Sequence, residues 1–229
     1  MPEIGSLSRF DALAVDYEAW FATHVGAFVA RLEEQLILDL LDPKASELIL
    51  EVGSGTDYFL RAVTRSGARG VGVEPSEEML AAAVAQTSTS IDHVRGRGES
   101  LPFKDQCFDA LLCMTALEFV QDPHAVLDQA TRVVRPGGRL VFGVLNAAGP
   151  WARSRKREGG LWDEARFFRT AELESLLSPL GSVQIDYRLH IPPQLGWLPA
   201  PLMSALDRLI HRFFPTSGAL IGAHVMKER

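Results

Sequence analysis

A chain of 229 residues can bury one substantial core and is short for two full domains. Its 47% hydrophobic and 23% charged content is ordinary for a globular protein, and a formal net charge of −6 offers no basic surface for a nucleic acid. No run of about 18 apolar residues occurs, so no spanning helix and no stable membrane insertion are expected. The start Met1-Pro2-Glu3-Ile4-Gly5 lacks the basic, then apolar pattern of a secretion signal. Cys107 and Cys113 have apolar neighbours and no pairing pattern, so both read as buried thiols in a reducing compartment, with the cytoplasm as the expected location. Six scattered histidines show no metal-ligand spacing, so no metal is expected, and His24 and His190 read as surface or satisfied side chains.

In chain order, Asp11 to Leu41 carries apolar residues three or four apart and reads as helix, ended by Asp42-Pro43. Strand-like runs then alternate with helical ones. Strands are expected at Leu48–Val52, Gly70–Glu74, Ile91–Arg95, Phe108–Met114 and Arg139–Leu145. Helices are expected at Tyr58–Arg65, Glu77–Gln86 and Pro123–Val134, with Arg135-Pro136-Gly137-Gly138 as a turn. This alternation implies right-handed crossovers and a parallel sheet covered on both faces. Thr170 reads as the N-cap of a helix Ala171–Leu177, and Ser182–Leu189 and Ala219–Met226 as two last strands. Two segments break the rhythm, Asn146–Arg169 and a proline-rich insertion, Ile191–Ser217. The first carries Arg153-Ser154-Arg155-Lys156-Arg157, which reads as a solvated face rather than a phosphate site. In the second, the apolar stripe of Leu202–Phe214 reads as packing against the domain, with a lid, a partner face or a membrane surface as alternatives.

The chemistry concentrates in Glu51-Val52-Gly53-Ser54-Gly55-Thr56-Asp57, a strand end, a glycine turn and a helix start. Glycine permits the sharp turn and a close backbone approach, and the free N–H groups of the next helix should face a ligand. Glu74 stands 21 residues after Gly53, at the end of the second strand, where a carboxylate can accept both ribose hydroxyls. A nicotinamide dinucleotide and S-adenosylmethionine could both use these parts. The dinucleotide pattern needs a third glycine where this chain has Tyr58, and Glu51 would repel a pyrophosphate but attract an ammonium. The methyl donor is favoured.

These residues, with Gly98-Glu99-Ser100-Leu101-Pro102-Phe103, Phe108-Asp109-Ala110, Leu117-Glu118-Phe119-Val120 and Arg132-Val133-Val134-Arg135-Pro136-Gly137-Gly138, resemble class I S-adenosylmethionine-dependent methyltransferases, and within them the type 11 group. The resemblance covers roughly residues 47 to 146. It implies a Rossmann-like, doubly wound α/β fold, with a mostly parallel seven-stranded sheet, an antiparallel last strand and added N-terminal helices. One domain would span 1–229, with a helical lid in 1–45, a donor-binding core in 46–146, and an acceptor-side half in 147–229 containing the insertion 191–217.

The resemblance also implies roles. Glu51, Gly53, Ser54 and Gly55 would surround the methionine end, Glu74 the ribose, Pro75 and Met79 the adenine edge, and Gly98 and Glu99 the adenine border. Thr115 and Leu117 would lie near the sulfonium, and Tyr17 and Trp20 would close over the donor. Two positions depart from the pattern. Asp57 replaces a third loop glycine and reads as an N-cap, as a carboxylate facing the donor's ammonium, or as an obstruction to the donor. Arg97 replaces a frequent acidic residue. The expected function is methyl transfer from S-adenosylmethionine to a small-molecule acceptor. A non-catalytic binding module of the same fold and a NAD-dependent oxidoreductase are the alternatives.

Overall fold

The computed structural model describes residues 4–86 and 90–228, so the start Met1-Pro2-Glu3 lies outside the described residues. Two helices, α1 (Ile4–Ala22) and α2 (His24–Leu41), replace the single N-terminal run, because Thr23 interrupts it: its hydroxyl accepts the Gly26 N–H at 3.0 Å and caps α2. There follow β1 (Leu48–Val52), α3 (Tyr58–Thr64), β2 (Arg69–Glu74), α4 (Glu77–Gln86), β3 (Ile91–Arg95), β4 (Phe108–Met114), α5 (Pro123–Val133) and β5 (Val134–Leu145). The last third adds α6 (Ala152–Glu158), α7 (Leu161–Glu164), α8 (Thr170–Leu177), β6 (Val183–Arg188), α9 (Ala200–Phe213) and β7 (Leu220–Met226).

The strands form one seven-stranded sheet in the order β3-β2-β1-β4-β5-β7-β6. The first five pair in parallel, while β7 runs antiparallel to both β5 and β6. Strand order reverses between β1 and β4, and a crevice opens there beyond their carboxyl ends. Both strands are almost wholly buried, as the centre of a sheet sandwiched by helices requires. One core, around Leu111, Phe142 and Val126, lies under α5 and α8. The other, around Leu36, Ile49 and Leu112, lies under α2 and α3. Full burial of a side chain such as Leu111 is worth about 1.5–3 kcal/mol, so these layers hold the crevice rigid.

Local readings change in four places. Arg135–Gly138 is not a turn but the start of β5, where the pairing with β4 slips between Phe108 and Ala110; Gly137 donates its N–H to Lys227 O at 3.0 Å and Lys227 returns one to Gly138 O at 2.9 Å. Thr170 is the first residue of α8 rather than its N-cap, because its hydroxyl pairs with the Tyr187 hydroxyl at 2.7 Å. Cys113 is buried, but Cys107 is exposed. The stripe on α9 packs only in part: Met203 is buried, whereas Leu202, Leu209, Phe213 and Phe214 face outward.

Buried Asp207 fastens the insertion, accepting the N–H groups of His190 at 2.7 Å and Ile191 at 2.9 Å. His190 is a satisfied histidine, bonded to His211 Nδ1 at 3.0 Å. Among the described residues, no helix is long and apolar enough to cross a membrane, and no group of three or more His, Cys, Asp or Glu could hold a metal ion.

Candidate functional site

The glycine loop closes the carboxyl end of β1. At Gly53, with φ +72°, an added Cβ would stand 2.4 Å from Ala116 Cβ, so only glycine lets the loop lie against the segment after β4. The loop's donors do not point at a ligand. Gly53 and Ser54 donate to Val73 O at 2.8 and 3.2 Å, and Gly55 donates to Glu74 Oε2 at 2.9 Å. Beneath the loop stands the carboxyl of Glu51, only 1% exposed. A pyrophosphate would therefore meet the Glu74 carboxylate and find these donors taken, whereas a cation meets a suitable field.

Burial, reinforced by Asp57 and Glu74, pushes the Glu51 carboxyl well above its ordinary range, and its Oε2 has no hydrogen-bond partner. Glu74 accepts from Gly55 and, through Oε1, from Ser76 N–H at 2.9 Å; burial still pushes its pKa up to about 7. The Glu74 carboxylate in a glycine-lined cleft, with the orphaned Glu51 oxygen buried behind the loop, gives a field that fits the ammonium and sulfonium of S-adenosylmethionine.

That cleft, of about 130 Å³, is lined by Tyr17, Gly53, Gly55, Glu74, Pro75, Met79, Gly98, Glu99 and Thr115 among the anticipated residues. Five anticipated residues do not line it. Leu117 is fully buried in the core, Ser54 is buried against Gly72, and Trp20 faces a second cavity. Asp57 is the fourth. It sits at φ +63° with no side-chain cap bond, and its carboxylate turns beneath the loop to His93 Nε2 at 2.5 Å. Neither the N-cap nor a carboxylate facing the cleft is formed. The space for this turn comes from Gly72, opposite Glu51 on one side and His93 on the other, where a Cβ would stand 2.8 Å from Asp57 Oδ1. Glu51 too is sealed from the cleft as it stands, being 1% exposed. Arg97 does line the cleft, and so do residues that sequence reasoning did not single out as site residues: Phe10, Ala116, Phe119 and Gln121.

A larger cavity of about 970 Å³ adjoins the cleft. The two share Phe10, Tyr17, Thr115 and Phe119, with Phe10 edge-on to Phe119 at 5.1 Å between ring centroids. Thr115 has φ +47°, a costly backbone state for a β-branched residue, held by its N–H bond to Gly143 O at 2.7 Å. Burial, then the carboxylates of Glu33, Glu51, Glu74 and Glu18, push the Tyr17 hydroxyl above its ordinary range. Helix α1 is clasped over this junction at two points. Ser76 donates to Asp11 at 2.5 Å, and Glu18 accepts from Thr56 at 2.5 Å and Arg61 at 2.9 Å.

Residues 50–142 match a family model described as a methyltransferase domain. An uncharacterized protein of Methanocaldococcus jannaschii is 30% identical over 178 residues, which is 76% of this chain and 81% of that one. An uncharacterized methyltransferase of Mycobacterium leprae is 33% identical over 142 residues, 62% of this chain and 47% of its own length. Among solved structures, a SAM-dependent methyltransferase of Thermotoga maritima, described as a possible histamine N-methyltransferase, is 27% identical with a TM-score of 0.77, over 97% of this chain and all of that one. With its sheet order, its acid-flanked glycine loop and these relatives, the chain belongs to the class I S-adenosylmethionine-dependent methyltransferases.

Proposed function

We propose that the enzyme methylates a small-molecule acceptor seated in the larger cavity, with the donor in the glycine cleft and transfer taking place across their shared boundary. The observation that carries this reading is the junction itself: two cavities meeting at Phe10, Tyr17, Thr115 and Phe119. S-adenosylmethionine supplies a methyl carbon already activated by its sulfonium. The chain's own residues then have to align the partners and exclude water. Phe10 and Phe119 supply apolar walls, Glu74 takes the ribose, and the acids around Tyr17 favour the donor's positive charge. Helix α1 acts as the lid of the site. No residue is assigned as a base, because a nucleophile that arrives deprotonated needs none.

The test is calorimetric titration with S-adenosylhomocysteine and NAD, followed by transfer from labelled donor to a panel of small acceptors. The adenosyl ligand should bind and NAD should not. Glu74→Gln, which turns one acceptor oxygen into a donor, should weaken S-adenosylhomocysteine about tenfold, or about 1.4 kcal/mol. Wild-type protein that binds neither ligand would support a lapsed module instead.

A further inference from the structure

The larger cavity contains a cation supplied by the chain itself. Arg155, on α6, was expected on a solvated face, yet its side chain is only 17% exposed. Its guanidinium lies 4.6 Å from the ring centre of Trp162, 5.2 Å from that of Trp151 and 5.8 Å from that of Trp20. Three indole faces converging on one point form a site for positive charge, because each ring presents its electron-rich face. Glu33 lines the same cavity and is 9% exposed; its carboxylate accepts no hydrogen bond from the described residues. Burial pushes its pKa up to about 7, with Arg155 pulling the other way. The charged groups of the lining are three carboxylates, Asp16, Glu33 and Glu158, against the single guanidinium of Arg155, and Glu158 is already paired with it at 3.0 Å. An incoming anion would face that imbalance, and an incoming neutral ligand would leave Glu33 uncompensated.

From the tryptophan cage and the buried Glu33 carboxylate we infer that the acceptor carries an organic cation, a protonated or alkylated amine on an apolar body: its charged nitrogen, which has no lone pair to attack with, is anchored by Trp20, Trp151, Trp162 and Glu33, and the methyl goes to another atom of the acceptor. Arg155 is the internal stand-in for that group and yields the cage when the acceptor enters. This rests on the reading of the larger cavity as the acceptor site.

Three probes of the same shape carry the test: phenethylamine, phenethyl alcohol and 3-phenylpropionate, titrated by tryptophan fluorescence and calorimetry, with and without S-adenosylhomocysteine. Phenethylamine should bind at least tenfold tighter than the alcohol, and the propionate weakest of all. Trp162→Leu and Glu33→Gln should each weaken the amine at least fivefold, while Trp162→Leu leaves S-adenosylhomocysteine affinity unchanged. Arg155→Met should preserve or tighten amine binding. A bound cation favours ionised Glu33, so affinity should rise between pH 6 and 8 in the wild type and stay flat in Glu33→Gln. Preference for the propionate, loss of amine binding in Arg155→Met, or no preference by charge would overturn the proposal. Failure of S-adenosylhomocysteine to bind the same sample would instead remove the donor assignment, since the amine preference is also read without it.

Discussion

Replacing Asp57 decides whether this residue supports the loop or obstructs it. The side chain is 1% exposed and bonds His93, itself only 11% exposed, at 2.5 Å. Hydrogen bonds to a charged group are worth about 1.5–3 kcal/mol net. Burial raises the Asp57 carboxyl above its ordinary range, so part of that gain is already offset by desolvation and the lower end applies. Asp57→Ala also keeps an αL backbone, at about 1 kcal/mol, without the short polar side chain that tolerates it. The sum is a destabilisation of about 2–3 kcal/mol. Asp57→Gly loses the same bond but relieves the backbone, so it should cost about 1–2 kcal/mol. Because the carboxylate faces the sheet and not the cleft, neither change should alter S-adenosylhomocysteine affinity more than about threefold, or about 0.65 kcal/mol. Urea unfolding gives the stabilities, and a double-mutant cycle with His93→Ala should show coupling of about 1 kcal/mol or more. Asp57→Ala as stable as wild type would refute the reasoning, and so would a tenfold gain in donor affinity in Asp57→Gly, which would make Asp57 an obstruction.

Two further outcomes follow from the same region and its neighbour. Gly72→Ala would set a Cβ 2.6 Å from Ser54 Oγ and 2.8 Å from Asp57 Oδ1, so it should cost about 1–3 kcal/mol, with part of that recovered in the double variant with Asp57→Gly; purely additive unfolding energies would count against the packing described. Glu118 accepts the Leu145 N–H at 2.6 Å and has a pKa pushed up to about 8 by burial. Its folded value lies above the unfolded one, so the folded state holds the extra proton. The stability this gives is full below the ordinary carboxylate range and is lost as pH rises through about 8, at up to about 1.4 kcal/mol per pH unit. Glu118→Gln mimics the protonated form, so its urea midpoint should fall less than that of the wild type between pH 5.5 and 8.

The parts of the site that depend on local pattern were legible in the sequence. A buried strand, two glycines and a helix start predict the loop, and the spacing to Glu74 predicts an acid at the end of β2. What escaped depends on strand register. Glu51, Gly72 and His93 stand side by side across β1, β2 and β3, and only that pairing explains how Asp57 finds a partner beneath the loop. Arg155 escaped for another reason. In a run of five residues with four basic ones, the sequence does not say which side chain the helix turns inward, and the meeting of Trp151 and Trp162 with the sequence-distant Trp20 decides it.

The acids around Tyr17 join stability to function. Glu33, Glu51 and Glu74 are buried, and burial is the first cause of the raised pKa of each. A core chosen for stability alone would replace them with apolar groups, since a buried carboxylate without a partner costs several kcal/mol or else takes up a proton. Here they surround a single phenol at the meeting point of two cavities, and their proton uptake leaves the ligand-free fold tolerable near neutral pH. A positively charged ligand changes the balance, because it stabilises the ionised form of every carboxylate it faces. Binding then draws protons out of the site, and the desolvation cost already met in folding becomes selectivity for cations over anions of the same size. On the proposed reading, the cost of burying these acids and the preference of the site for a cation are one property.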